Sequence, residues 1–140
     1  MDSINHSINL AELDMKVFVV EDSAAVRERL VEMIREVASV EVVGEADTYS
    51  KAVAGIIKTV PDVAILDIKL ADDGGSGIDV LNEVRKSMPA VRAIVMSNYV
   101  TPQHVKASVD AGAEYFLDKS VDLDRIPEIL RQLSGDKNAH

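Results

Sequence analysis

The chain has 140 residues and a net charge of −9, long enough for one domain with a substantial core and too acidic for a broad nucleic-acid-binding face. It contains no cysteine, which excludes disulfides, thiolate chemistry and zinc–thiolate sites. No basic segment followed by an apolar core marks a signal peptide and no apolar run can span a bilayer, so a soluble, cytoplasmic protein is expected.

Residues 1–14 are polar, with spaced Ile4, Ile8 and Leu13, and are expected to form a loose tail. Met15–Val20 reads as a strand and closes on the acidic pair Glu21-Asp22. Ser23 can cap the helix that follows, whose apolar positions Val26, Leu30, Met33/Ile34 and Val37 recur at helical spacing. Val40–Ala46 is a short strand with Gly44 near its end, and 49–60 reads as helix until Pro61 stops it. Residues 62–67 form a mostly apolar run ending in Asp67, the pattern of a fully buried strand. A glycine-rich loop spans 70–77, where Asp72 and Asp73 read as turn residues and not as ligands.

A helix is expected over 78–88, ended by Pro89, and a strand over 91–96, followed by Ser97. Thr101-Pro102 is a cap and first-turn pair, and the helix it opens runs through Val105 and Val109 to Gly112. Residues 114–118 form a last strand, followed by Lys119. A final helix over 121–134 turns Ile126, Ile129/Leu130 and Leu133 inward, with Pro127 in its first turn, and 135–140 is a polar end. Five alternations of strand and helix predict a parallel sheet covered on both faces. In such a sheet the carboxyl ends of the strands share one edge. Glu21, Asp22, Asp67, Ser97 and Lys119 therefore converge, and acids, a hydroxyl and an ammonium together suit a phosphoryl group and a divalent metal. The histidines His6, His104 and His140 are dispersed and suggest no metal site.

Ser97 stands 30 positions after Asp67, and Lys119 stands 22 after Ser97. With Glu21-Asp22 and Phe116, this ordered set resembles the receiver domain of two-component response regulators, the chemotaxis-regulator-like family, over nearly the whole chain. The resemblance implies a flavodoxin-like, doubly wound five-stranded parallel sheet of order 2-1-3-4-5 as a receiver domain over 15–134, between tails 1–14 and 135–140. It implies that Asp67 is the phosphoacceptor and that Glu21, Asp22, Asp67 and the main-chain carbonyl of Lys69 hold Mg²⁺ or Mn²⁺. Lys119 would pair with a phosphoryl oxygen, Ser97 would hydrogen-bond the phosphoryl group, and Phe116 would rotate inward with the Ser97 loop. Lys69 and Tyr99 occupy the two positions that tune phosphoryl lifetime in the family, and neither side chain naturally orients an attacking water. A long-lived phosphoryl group is therefore expected.

The implied partners are a histidine kinase or a histidine phosphotransfer protein, and a downstream protein target. The face built from 101–111, 114–118 and 121–134 is the expected site of phosphorylation-dependent association, including a homodimer. The sequence contains no output domain, so a stand-alone signalling receiver is expected, not a conventional turnover enzyme. A phosphorelay intermediate, a phosphate sink and the receiver part of a longer DNA-binding regulator share the same residues. The chain departs from the family pattern in four ways: the loop after Asp67 is longer, and Ala71, Asn98 and Ser120 replace a usual proline, a small residue and a second proline. A Lys-Pro bond at the last position is often cis in the family, whereas a cis bond to serine is costly. A haloacid-dehalogenase-type phosphatase would need Asp-x-Asp after the first strand, where this chain has Asp22-Ser23-Ala24. A flavodoxin-like cofactor carrier would need a hydroxyl- and glycine-rich loop where Glu21-Asp22 stand.

Overall fold

The computed structural model describes residues 14–70 and 74–138. Of the expected tail 1–14 only Asp14 is described; 1–13, Ala71, Asp72, Asp73 and the last two residues of the expected end 135–140 lie outside the described residues. The elements are β1 (Met15–Val20), α1 (Ala24–Arg35), β2 (Val40–Ala46), α2 (Tyr49–Thr59), β3 (Val63–Asp67), α3 (Gly77–Val84), β4 (Arg92–Ser97), α4 (Pro102–Asp110), β5 (Tyr115–Asp118) and α5 (Ile126–Asn138). All strand pairs are parallel, in the order β2-β1-β3-β4-β5. This is the parallel sheet that the strand and helix alternation predicts, in the doubly wound order that the family resemblance implies.

Side chains alternate across the sheet, and that alternation sorts the core into two layers. Val17, Val19, Ile65, Ile94, Met96 and Leu117 meet Leu30 and Ile34 of α1 and Ile126, Ile129, Leu130 and Leu133 of α5. Phe18, Val20, Ala64, Leu66, Ala93 and Val95 meet Ala52 and Ile56 of α2 and Ile78, Leu81 and Val84 of α3. β3 is central and all five of its residues are buried. Each buried aliphatic side chain there contributes about 1.5–3 kcal/mol, which leaves the strand little freedom to shift Asp67.

Two glycines make room for Phe18. A Cβ on Gly44 would lie 2.5 Å from the Phe18 ring, and one on Gly55 would also lie 2.5 Å from it. The ring therefore occupies a slot between β2 and α2. The register of β1 against β2 shifts between Val17 and Phe18, where Gly44 comes opposite the ring. Gly77 is needed for another reason, since a Cβ there would collide with the Asp67 carbonyl oxygen. Its N–H donates to the Ile68 carbonyl at 2.9 Å, so α3 starts hard against the end of β3.

The caps follow the sequence. Ser23 accepts from the Val26 N–H, Thr101 accepts from the His104 N–H with Pro102 in the first turn, and Ser76 and Asp79 form a reciprocal capping box on α3. Some boundaries differ from expectation. α2 stops at Thr59 because Val60 takes the left-handed region, at φ 49°. α3 stops at Val84 and not at Met88, and 85–88 wind on partly through bonds to the third preceding carbonyl, such as Lys86 N–H to Glu83 and Ser87 N–H to Val84. β5 starts at Tyr115 because the Glu114 carboxylate turns back to accept from the Ala93 N–H at 2.8 Å. The last helix is preceded by a 3-10 turn, Leu123–Arg125, and runs through Asn138. Gly135–Asn138, expected as part of a polar end, is therefore helical. Val109, placed on the inner face by its spacing, is exposed, and the neighbouring Ser108 is buried instead, donating to the His104 carbonyl at 2.9 Å.

Candidate functional site

The site lies where β1, β3, β4 and β5 end. β1 runs directly into Glu21, whose N–H donates to the Ala46 carbonyl at 3.0 Å. Arg27 of α1 donates to the Glu21 carbonyl at 2.7 Å, which fixes the turn carrying the acidic pair. β3 delivers Asp67, and β4 delivers Ser97, both buried. The Lys119 N–H donates to the Ser97 carbonyl at 2.9 Å, so the lysine backbone continues the pairing of β5 on β4. Its side chain then crosses to the centre of the edge.

There the Lys119 ammonium lies 3.1 Å from Asp67 Oδ2 and 2.8 Å from Glu21 Oε1, and donates to Glu21 Oε2 at 3.1 Å. Glu21, Asp67 and Lys119 are 0%, 4% and 7% exposed in their side chains, so these charges have been taken out of water. Burial, reinforced by the neighbouring Glu21 carboxylate and opposed by Lys119, pushes the Asp67 carboxyl up to about 7. Burial lowers the affinity of Lys119 for its proton, but its bonds to Glu21 and the charges of Asp67 and Glu21 outweigh that and hold its pKa above the ordinary lysine value.

Glu21, Asp22 and Asp67 bring carboxylate oxygens within 4.8 Å of one another. Asp22 is exposed and forms the solvent side of the trio. Glu21 Oε2 accepts from the Ser23 N–H at 3.0 Å, while the buried Oε1 accepts no hydrogen bond. Although Lys119 approaches Oε1 to 2.8 Å, the angle does not make a bond, and the attraction is one of charge alone. Three carboxylates against one ammonium, with one buried lone pair unspent, fit a hard divalent cation. The cluster can hold a metal.

Asp22, Asp67, Lys69, Ser97, Tyr99 and Lys119 line a cavity of about 470 Å³, together with Ile68, Ser76, Asn98 and His104. The expected residues Asp22, Asp67, Lys69, Ser97, Tyr99 and Lys119 thus share one opening, with Glu21 buried behind them. Phe116 is outside it, half-buried on β5 against the layer that holds α2 and α3. Ser97 is already engaged, donating to the Tyr99 carbonyl and accepting from the Tyr99 N–H, both at 2.9 Å. In place of the usual proline, Ser120 donates through its N–H and hydroxyl to Asp118 at 2.9 and 2.6 Å. Among the described residues no peptide bond is cis. Sequence reasoning missed Ser76 and His104. Both stand at helix starts beside strand ends, at the N-cap of α3 and two residues beyond Pro102, and that placement was the available signal.

Among the described residues no helix is long and apolar enough to cross a membrane. The sequence profile of the response regulator receiver domain matches residues 17–131. The chain is 33% identical over 107 residues to the DNA-binding transcriptional activator DevR/DosR of Mycobacterium tuberculosis, covering 76% of this chain and 48% of that protein. It is 30% identical over 125 residues to the sensory transduction protein LytT of Bacillus anthracis, covering 89% of this chain and 49% of that protein. The chain thus spans about half the length of these curated relatives. Among solved structures, the signal receiver domain of the putative response regulator NarL from Mycobacterium tuberculosis superposes with a TM-score of 0.78 at 30% identity, over 86% of this chain and 96% of that one. The response regulator domain of Thermotoga maritima CheB superposes with a TM-score of 0.75 at 27% identity, over 89% and 96%.

Proposed function

The chain belongs to the response regulator receiver domain family, and from that membership we propose that it accepts a phosphoryl group on Asp67 from a histidine kinase or histidine phosphotransfer protein and signals through protein contacts. One observation carries this reading: a buried carboxylate ends the central strand with an ammonium 3.1 Å away, inside a cavity of about 470 Å³. An Asp67 oxygen forms a bond to phosphorus as the phosphorus–nitrogen bond of a phosphohistidine breaks. The electron pair returns to the imidazole nitrogen, which takes up a proton. Such transfers depend on positioning and charge stabilisation. Lys119 pairs with a phosphoryl oxygen, and Ser97 donates to the group once it is formed. Glu21, Asp22, Asp67 and the Lys69 main-chain carbonyl would hold Mg²⁺ or Mn²⁺, which supplies the positive charge that a carboxylate nucleophile needs against an anionic donor.

In this reading the domain assists its own phosphorylation and dephosphorylation and is not a turnover enzyme. Lys69 and Tyr99, on the rim of the cavity, shield the phosphorus from an in-line water and lengthen the phosphoryl lifetime. Incubation with a small phosphodonor and Mg²⁺ adds one phosphoryl mass to the wild type and none to Asp67→Asn. A mass shift that survives the substitution removes the assignment. A second reading, as the receiver part of a longer DNA-binding regulator, is favoured by the match to about half of DevR/DosR. Sequencing the surrounding reading frame for an output domain decides it. Relay and sink readings share the site, and phosphoryl transfer onward to a phosphotransfer protein separates them from a terminal effector.

A further inference from the structure

The Ser97 hydroxyl has one proton to give, and the Tyr99 carbonyl holds it at 2.9 Å. To donate to a phosphoryl oxygen on Asp67, Ser97 must leave that carbonyl. A second group is already in place there: His104 Nδ1 lies 3.0 Å from the same Tyr99 oxygen. A carbonyl only accepts, so the ring must present Nδ1–H to it. The histidine is mounted rigidly on α4. Its N–H donates to Thr101 Oγ1 at 3.1 Å, and its carbonyl accepts from the buried Ser108 hydroxyl at 2.9 Å. Its half-buried ring also lines the cavity that holds Asp67 and Lys119.

We propose that His104 is a positioning residue of the switch, which keeps the Tyr99 carbonyl bonded when Ser97 turns to the phosphoryl group. The Ser97–Tyr99 loop then stays anchored to α4, and switching requires rotation of a hydroxyl without abandoning a carbonyl. The inference rests on the reading of Asp67 as phosphoacceptor and Ser97 as switch hydroxyl, and gives that site a determinant outside the expected residue set.

The test is a double-mutant cycle on affinity for fluoroberyllate, a phosphoryl mimic, in the presence of Mg²⁺. Ser97→Ala and His104→Ala each weaken binding about fivefold, as expected for one neutral hydrogen bond, and the double variant is little weaker than either. His104→Asn, whose amide can reach the same oxygen, recovers most of the affinity. Ring ¹⁵N shifts of the unmodified protein show protonated Nδ1, a measurement that needs no variant. Multiplicative losses in the cycle, an unaffected His104→Ala, failure of Asn to rescue, or the Nε2–H tautomer each overturn the inference while the phosphoacceptor reading stands. Equal binding by wild type and Asp67→Asn, or none by wild type, overturns both.

Discussion

At Asp67, burial and the Glu21 carboxylate disfavour ionisation, and Lys119 only partly offsets them. The carboxyl is raised from 3.8 to about 7, so the folded state binds its proton more tightly than the unfolded state. Stability contributed by this group is present at low pH and is lost as pH rises through about 7. In chelator, Asp67→Asn is therefore expected to be more stable than wild type at pH 8 by on the order of 2–4 kcal/mol, with the gap closing towards pH 5. Denaturant unfolding at the two pH values measures it, and a gap that does not change with pH contradicts it. Saturating Mg²⁺ is expected to raise wild-type stability by about 2–3 kcal/mol at a hundredfold excess over its dissociation constant. Asp22→Ala removes most of that rise, and a melting temperature indifferent to Mg²⁺ removes the metal site. A third outcome is expected at the rim: Lys69→Asn and Tyr99→Ala speed loss of the phosphoryl group severalfold, and unchanged rates in both refute shielding. Glu21, Asp22, Asp67, Ser97 and Lys119 were legible in the sequence because each ends or follows a strand whose apolar pattern is plain. His104 and the unspent Glu21 Oε1 were not, since they depend on where a ring and a carboxylate turn once the helices are placed.

Among the elements, the contact of α2 with β1 and β2 leaves no room for a side chain at Gly55. Gly55→Ala in an open helix would stabilise by about 1 kcal/mol. Here the new methyl would lie 2.5 Å from the Phe18 ring, and overpacking of that kind costs about 1–3 kcal/mol. Gly55→Ala is expected to destabilise the protein, and Phe18→Leu in the same chain is expected to reverse the sign of the Gly55 change. Equilibrium unfolding of the four proteins tests it. The Phe18 slot was invisible in the sequence because its two glycines, Gly44 and Gly55, are eleven positions apart on different elements. Element order and type were readable from alternating apolar runs and from Ser23, Thr101, Pro61 and Gly112. Ends were less so. Pro89 bounds α3 only from outside, and nothing local marks Val84 as the last helical residue. Val109 and Ser108 exchanged places because a serine can be buried on a helix by bonding the fourth preceding carbonyl.

For the whole molecule, the Ser97 loop joins the cavity to α4 through His104, whose Nδ1 lies 3.0 Å from the Tyr99 carbonyl oxygen, and Phe116 lies half-buried on the neighbouring β5. Val109 is 66% exposed on α4, an apolar side chain left facing solvent. Phosphorylation is expected to change association on the face formed by α4, β5 and α5, read as altered amide exchange over 101–118 with and without fluoroberyllate. Identical exchange in the two states counts against it. The same architecture bears on the order of assembly. β5 is an edge strand, paired with β4 over four residues, yet it leads into Lys119, whose ammonium sits between Glu21 and Asp67. If β5 docks last, the first four strands bring the Glu21 and Asp67 carboxylates together before Lys119 supplies its charge, and their repulsion disfavours that partly assembled sheet. A divalent cation can stand in for the missing strand during that interval. Refolding is therefore expected to quicken with Mg²⁺, and Lys119→Met to make that acceleration larger.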